Sequence, residues 1–150
     1  MTAFMPGLAE PQDDWAATLL RSSELELYLK MDARDRAHAC RVARALLKRR
    51  PEAPSELVRA ALLHDVGKSL VPYRAWQRIL LHLWRPTLPP EPEPSGFRRT
   101  LQVHRHHARL GADMVRAAAG AERVAQLIER HHAPGTDAEA RLLKEIEELY

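Results

Sequence analysis

The chain has 150 residues and a formal net charge of +3, with 45% hydrophobic and only 5% aromatic residues. This length fits one domain with a sizeable core and excludes two domains of ordinary size. The small net charge does not indicate a nucleic-acid binder, and the single cysteine, Cys40, excludes an internal disulfide and a zinc site built from several cysteines.

Neither the first residues nor the apolar stretches of the sequence indicate a membrane protein. The first residues, Met1 to Pro6, lack the basic start and the long apolar core of a signal peptide. The longest apolar stretch, around Ile79 to Trp84, is interrupted by His82 and is too short to cross a bilayer. We therefore expect a cytoplasmic protein without a membrane partner.

Residues 1–12 predict a flexible tail, because Pro6, Gly7 and Pro11 interrupt any periodic pattern. The rest of the chain, residues 13–150, predicts a single helical domain.

The domain is expected to begin with two helices. The first is predicted from Asp13 to Lys30. Asp32 is expected to cap the second, which runs to about Arg50 before two prolines stop it. His38 lies on the inward stripe of this second helix, together with Val42, Ala45 and Leu46.

The middle of the chain predicts two more helices and a long loop. Ser55 is expected to cap a helix over Glu56–Val66, with Gly67 as its C-terminal stop. A further helix is predicted over Tyr73–Trp84. Five prolines then predict a surface loop over residues 86–94, which is a candidate lid.

The C-terminal part predicts three helices. One runs from Phe97 to about Ala119, and another from Ala121 to His132. Asp137 is expected to cap a last helix that reaches Tyr150. No alternating strand pattern and no internal repeat is visible, so we predict an all-α bundle of about six to seven helices.

Eight histidines are many for this length, and most fall near predicted helix ends. The groups are His64-Asp65, His104 to His107, and His131-His132, with His38 on an inward stripe. Imidazole and carboxylate together suit Fe, Mn, Co, Ni or Zn better than Ca or Mg. Each group also has a structural interpretation: a hydrogen-bonded core histidine, a solvated basic helix face, or late-helix residues favoured by the macrodipole.

Together these residues resemble the HD superfamily of metal-dependent phosphohydrolases. Residues 36–43 read RAHACRVA, and residues 60–68 read AALLHDVGK, similar to the apolar-His-Asp-apolar-Gly-Lys signature of the family. Residues 107–112 read HARLGA, similar to the His-x-x-x-Gly-Ala element of subfamilies with a larger metal cluster. Residues 128–132, IERHH, resemble the Ile-x-x-His-His ending, so the resemblance covers roughly residues 30–149.

The resemblance implies a metal centre of one or two divalent transition ions. It implies that His38, His64 and Asp65 are ligands, with Asp65 able to bridge two ions. His107 and His131 would complete the sphere of a second ion, and His132 would add to it or support it.

The same resemblance implies a phosphate-binding role for three basic residues and a catalytic role for two residues. Asp65 and Lys68 are the candidate catalytic residues, and Lys68, Arg105 and Arg109 are the candidate substrate-binding residues.

Two stretches depart from the family pattern. The usual last ligand is an aspartate in the final helix, and here Glu147 falls nearest to that position. Asp137 is a poorer substitute, because helix capping already accounts for it. Residues 133–136, APGT, replace the continuation of the subfamily that cleaves cyclic di-GMP, so the resemblance does not extend to that activity.

The sequence therefore predicts a hydrolase that cleaves a phosphate ester of the nucleotide or dinucleotide class with a metal-activated water. The partner would be a small phosphorylated substrate. A catalytically silent HD-like module that senses a ligand or organises partners is the alternative. A third hypothesis, a nucleic-acid binder, rests only on short basic runs at 48–50 and 98–99 that lack interleaved aromatics.

Overall fold

A computed structural model describes residues 10–71 and 97–150. The helix predicted over Tyr73–Trp84 and the proline-rich loop predicted over 86–94 lie outside the described residues, as does most of the predicted tail over 1–12.

The described ranges are helical and contain no strand, which confirms the predicted all-α fold. The helices are α1 (Asp13–Leu19), α2 (Ser22–Leu29), α3 (Ala33–Arg49), α4 (Ser55–Leu63), α5 (Phe97–Ala117), α6 (Glu122–Arg130) and α7 (Ala138–Glu147). A 3-10 turn, Val66–Leu70, follows α4.

The single first helix predicted from Asp13 to Lys30 is wrong, because the chain breaks between α1 and α2. Leu20 is extended, with φ −88° and ψ 147°. The Glu24 carboxylate accepts a bond from the Arg21 amide at 3.0 Å and so starts α2. Glu24 is fully buried and also pairs with Arg59 of α4 at 3.1 Å. The sequence does not reveal the break, because no glycine or proline lies near Leu20 and the pair joins residues far apart in the chain.

The caps at Asp32 and Asp137 are confirmed. Their carboxylates accept bonds from the Asp35 amide at 2.8 Å and from the Ala140 amide at 3.2 Å. The predicted cap at Ser55 is wrong, because Ser55 is itself the first residue of α4 and its hydroxyl bonds the Glu56 carboxylate at 3.3 Å.

Helix α4 is shorter than predicted. It ends at Leu63, so His64 and Asp65 fall between the helix and the 3-10 turn instead of inside a helix that reaches Val66. Gly67 is not a helix stop, since it lies within this turn.

Helix α5 contains a kink that the sequence did not predict. His106 has φ −112° and ψ 16°, outside helical values, and it immediately precedes His107. The helix ends at Ala117, and Ala119 takes the left-handed φ of 55° before Gly120. The amide of Gly120 donates to the Val115 carbonyl at 2.8 Å, which closes the helix end.

The core forms around α4, whose residues from Leu57 to Leu63 are all buried. Helices α1, α2, α3, α6 and α7 all pack on it. Because α4 is enclosed in this way, the two residues that follow it, His64 and Asp65, enter the interior. None of the helices in the described ranges is both long and apolar enough to cross a membrane.

Candidate metal centre

Six of the seven predicted metal ligands meet at one end of the bundle. They form two groups, and within each group the ligand atoms lie within 4.8 Å of one another. The first group is His38, His64 and Asp65, and the second is His107, His131 and His132.

The first group joins the middle of α3 to the end of α4. The Asp65 Oδ2 atom lies 3.5 Å from the His64 Nε2 atom and 3.9 Å from the His38 Nε2 atom. His64 and Asp65 are almost completely buried, whereas the His38 side chain is 19% exposed. The group therefore opens toward solvent on the His38 side.

The second group joins α5 to the end of α6. The Nε2 atoms of His107 and His132 lie 3.1 Å apart. The ring centroids of His131 and His132 are separated by 3.8 Å, and those of His107 and His131 by 5.5 Å. His131 and His107 are buried and His132 is exposed.

Asp65 connects the two groups. Its Oδ2 atom faces His64 at 3.5 Å, and its Oδ1 atom lies 3.2 Å from the Nε2 atom of His107. One carboxylate thus presents one oxygen to each group of imidazoles.

Backbone carbonyls orient three of the imidazoles. The Nδ1 atoms of His64, His107 and His131 donate to the carbonyls of Ala61, His104 and Ile128, at 2.7, 2.8 and 2.5 Å. Since a carbonyl only accepts, Nδ1 carries the proton, and in the neutral form of each ring Nε2 is the atom that presents a lone pair to the site. This is the arrangement in which protein histidines bind metals.

The residues fit a metal ion. The Nε2 atoms of His64 and His131 are buried and have no hydrogen-bond partner among the described residues. Buried polar atoms are nearly always satisfied, so such atoms in a cluster call for a ligand. A neutral nitrogen donor set with one carboxylate suits a divalent transition ion.

Burial keeps the cluster in its metal-binding protonation state. It lowers the pKa of His38 and of His132 to about 4 in each case, and it lowers the pKa of His131 well below 6.5. Burial alone would raise the pKa of Asp65, but the charges of His64 and Lys68 and the contact with His107 hold it well below 3.8. His38, His131 and His132 are therefore neutral, and the Asp65 carboxylate is ionised, near neutral pH.

Lys68 and Glu147 lie beside the two groups. The Lys68 ammonium is 2.9 Å from Asp65 Oδ2, so it contacts the proposed ligand directly, which the sequence analysis did not expect. Burial raises the pKa of Glu147 above 4.5; the charge of His64 opposes this shift, and the charge of Asp65 adds to it. Glu147 ends α7 within electrostatic reach of the cluster, although it belongs to neither compact group.

Arg105 and Arg109, the other predicted substrate-binding residues, stay a prediction. Both lie two residues from His107 along α5, and residues at that spacing point to different faces of a helix. Arg105 is exposed, and Arg109 lies 3.9 Å from the Asp113 carboxylate on its own helix.

Arg41 is a basic residue near the site that the sequence analysis missed. It is exposed on α3, and its charge is among those that lower the pKa of His38, after burial and the charges of His64 and Lys68. The signal was available, since Arg41 follows His38 by three residues and so shares its helix face.

Comparisons with known proteins agree with this geometry. Neither the curated proteins nor the solved structures gave a significant match. The family model of the HD domain matches residues 36–149, which include every residue of both groups. HD domains are generally metal-dependent hydrolases of phosphate compounds, and they bind divalent metals. The chain belongs to the HD domain family.

Proposed function

We propose that this protein is a phosphohydrolase that uses two divalent transition ions to cleave a phosphate ester of a nucleotide or dinucleotide. One ion would be held by His38, His64 and Asp65, and the other by His107, His131 and His132, with Asp65 shared. Such ions, when bound, activate water and neutralise phosphoryl oxygens.

The position of Asp65 carries the proposal. Its two oxygens face different groups, 3.5 Å from His64 Nε2 and 3.2 Å from His107 Nε2. A structural ion pair needs only one partner, whereas a buried carboxylate between two sets of imidazole lone pairs is suited to bridging cations.

Two basic side chains near the open side of the cluster, those of Lys68 and Arg41, would hold the substrate. Lys68, 21% exposed, sits on Asp65 Oδ2 and can donate to a phosphate oxygen that approaches past His38. Arg41 lies on the same face of α3 as His38, where its guanidinium can bind a second anionic group. A substrate with more than one phosphate, or a phosphodiester, suits this pair of charges.

The nucleotide class rests on the resemblance of the motifs to HD proteins that act on nucleotides. A broad panel of nucleotides and dinucleotides, incubated with the protein and Mn²⁺, tests the proposal by release of phosphate or mononucleotide. We expect turnover of at least one compound. Lys68→Ala should lower kcat by roughly a hundredfold, the usual cost of losing one group that stabilises transition-state charge.

Asp113→Asn is the matched control on a charged residue away from the cluster, since Asp113 is 54% exposed and pairs with arginines on α5. If the fully metallated protein turns over nothing in the panel yet binds a nucleotide tightly, the chain is a sensor module and not an enzyme.

A further inference from the structure

His132 is held differently from the other imidazoles of the cluster. His64, His107 and His131 each donate Nδ1 to a backbone carbonyl, and His38 lies within the continuous helix α3. Among the described contacts, His132 has no such bond and meets only other imidazoles, with its ring 3.8 Å from that of His131. The backbone of its turn must therefore determine where its ring lies.

Apolar packing does not fix this turn. Ala133, Gly135 and Thr136 are exposed, and Pro134 is half-buried. A Cβ placed on Gly135 would meet no atom within 4 Å. The turn, residues 133–136, thus projects into solvent and depends on polar contacts for its shape.

Arg141 of α7 donates to the Gly135 carbonyl at 2.7 Å, and the other side-chain contacts converge on Asp137, at the end of the turn. Arg123 of α6 binds its carboxylate with two parallel bonds, Nη1 to Oδ2 at 2.7 Å and Nη2 to Oδ1 at 3.0 Å. Arg130 adds a third bond at 3.1 Å, and Arg123 also reaches Glu139 at 2.8 Å. The Asp137 side chain is only 8% exposed, and these bonds lower its pKa, so the pairing is stronger than a solvated surface pair.

The bonds to Asp137 join the two ends of the segment that contains His132. Arg123 and Arg130 belong to α6, which ends immediately before His131, while Asp137 caps α7, which ends at Glu147. The Asp137 clamp, meaning Arg123, Arg130 and Asp137, therefore ties the start and the end of the turn to each other.

We propose that the Asp137 clamp is a positioning device that holds His132 over the second group of ligands. The inference rests on the proposed metal centre. It assigns to Arg123 and Asp137 a function beyond helix capping, because His132, which has no described side-chain bond to the backbone, directly precedes the turn that they close.

Metal titration of the full chain tests the clamp, with Co²⁺ followed by its visible absorption and by calorimetry. We expect Arg123→Ala to weaken the second binding event by roughly tenfold to a hundredfold, the usual cost of losing a residue that orients a ligand. The first binding event, at His38, His64 and Asp65, should stay within about twofold. Asp137→Asn, which keeps a good capping residue but loses the charge, should behave in the same direction.

Arg116→Ala is the matched control. Arg116 of α5 makes a comparable network with Glu122 and Glu129 of α6, at 3.0 and 3.1 Å, and none of its described bonds involves the turn or Asp137. A merely structural network would lower the melting temperature in both variants and leave the second ion equally affected, and that result would overturn the proposal.

Amide hydrogen exchange of the metal-free protein separates this inference from the proposed function. Arg123→Ala should speed exchange at residues 132–136 and leave α3 and α4 unchanged. If the wild type binds no ion, the proposed function fails, while the exchange result still decides whether the clamp orders the turn. Unchanged exchange in Arg123→Ala would refute the clamp whatever the metal content.

Discussion

Gly67 lies with its α-carbon directly against the backbone of His107. A Cβ at Gly67 would stand 2.1 Å from the His107 carbonyl oxygen and 2.8 Å from the Gly111 nitrogen. The turn that follows Asp65 and the helix that carries His107 can approach this closely only because residue 67 has no side chain. The contact therefore sets the distance between the two groups of ligands.

Replacing Gly67 by Ala should force the 3-10 turn away from α5. The opposing atoms are backbone and cannot move aside as a flexible side chain can, so we expect a loss of about 3 kcal/mol or more in the free energy of unfolding. Urea denaturation measures it. Gly111→Ala should cost clearly less, because its nearest atom would lie at 3.1 Å. Equal stability of Gly67→Ala and the wild type would show that the two elements are not in contact.

Asp65→Asn should remove bound metal from both groups at once. The asparagine side chain lacks the negative charge that, in Asp65, faces His64 on one side and His107 on the other. Elemental analysis of purified protein should show less than one ion per chain, whereas His132→Ala should reduce the content only from two ions to one. Retention of two ions by folded Asp65→Asn would rule out the shared carboxylate.

The helices were largely predictable from periodicity, whereas their interruptions were not. The 3.6-residue pattern and the caps at Asp32 and Asp137 depend on neighbours within four residues, which the sequence displays. The break at Leu20 is accompanied by the long-range contact of Glu24 with Arg59, while the end of α4 at Leu63 and the kink at His106 have no signal in the helical periodicity. Nothing local in the sequence marks them.

For the site, too, local features were predictable from the sequence and long-range contacts were not. The motifs indicated six residues that the structure brings together, because paired His-Asp and His-His sequences at helix ends are local features. The motifs did not reveal the clamp, since Arg123 reaches Asp137 across 14 positions and Asp137 was fully accounted for as a cap. They also favoured Arg105 and Arg109 by proximity along the chain, and that assignment stays a prediction.

Arg41→Ala should raise KM for a polyphosphate substrate by about tenfold, since a hydrogen bond to a charged group contributes roughly 1.5–3 kcal/mol. Arg105→Ala and Arg109→Ala should change KM less, because residues two positions from His107 on a regular helix point to other faces. Steady-state kinetics on the three variants rank them. Arg44→Ala is the control, as Arg44 lies on the same helix but stacks on Trp15 at 4.0 Å. A larger effect at Arg109 than at Arg41 would restore the assignment made from sequence.

The metal-free protein should lose stability as the pH falls from 6.5 toward 4. Burial lowers the pKa of His38 from 6.5 to about 4, so the unfolded chain takes up a proton in this window that the folded chain does not. The contribution of His38 to the free energy of unfolding is fully present above pH 6.5 and falls by at most about 3 kcal/mol toward pH 4, and His131 and His132 change in the same direction. Urea midpoints across this range measure the slope, and His38→Gln should reduce it, leaving the part that comes from His131 and His132. A slope that is the same in wild type and His38→Gln would place the proton uptake elsewhere.

Glu147→Gln should weaken metal binding without unfolding the bundle. Glu147 is half-buried at the end of α7, and the charges of His64 and Asp65 are among those that act on it. Removing its own charge takes an anion from the edge of a cationic centre, for which we expect roughly tenfold lower affinity by calorimetry. Glu147→Asp restores the usual residue of the family. Because this variant keeps the charge, it should bind metal at least as tightly as Glu147→Gln. Glu145→Gln on the same helix should have no effect, because Glu145 is 48% exposed and pairs with Arg49 at 3.3 Å. If Glu147→Gln and Glu145→Gln bind metal equally well, Glu147 does not take the place of the missing aspartate, and the two groups complete their ions without a ligand from α7.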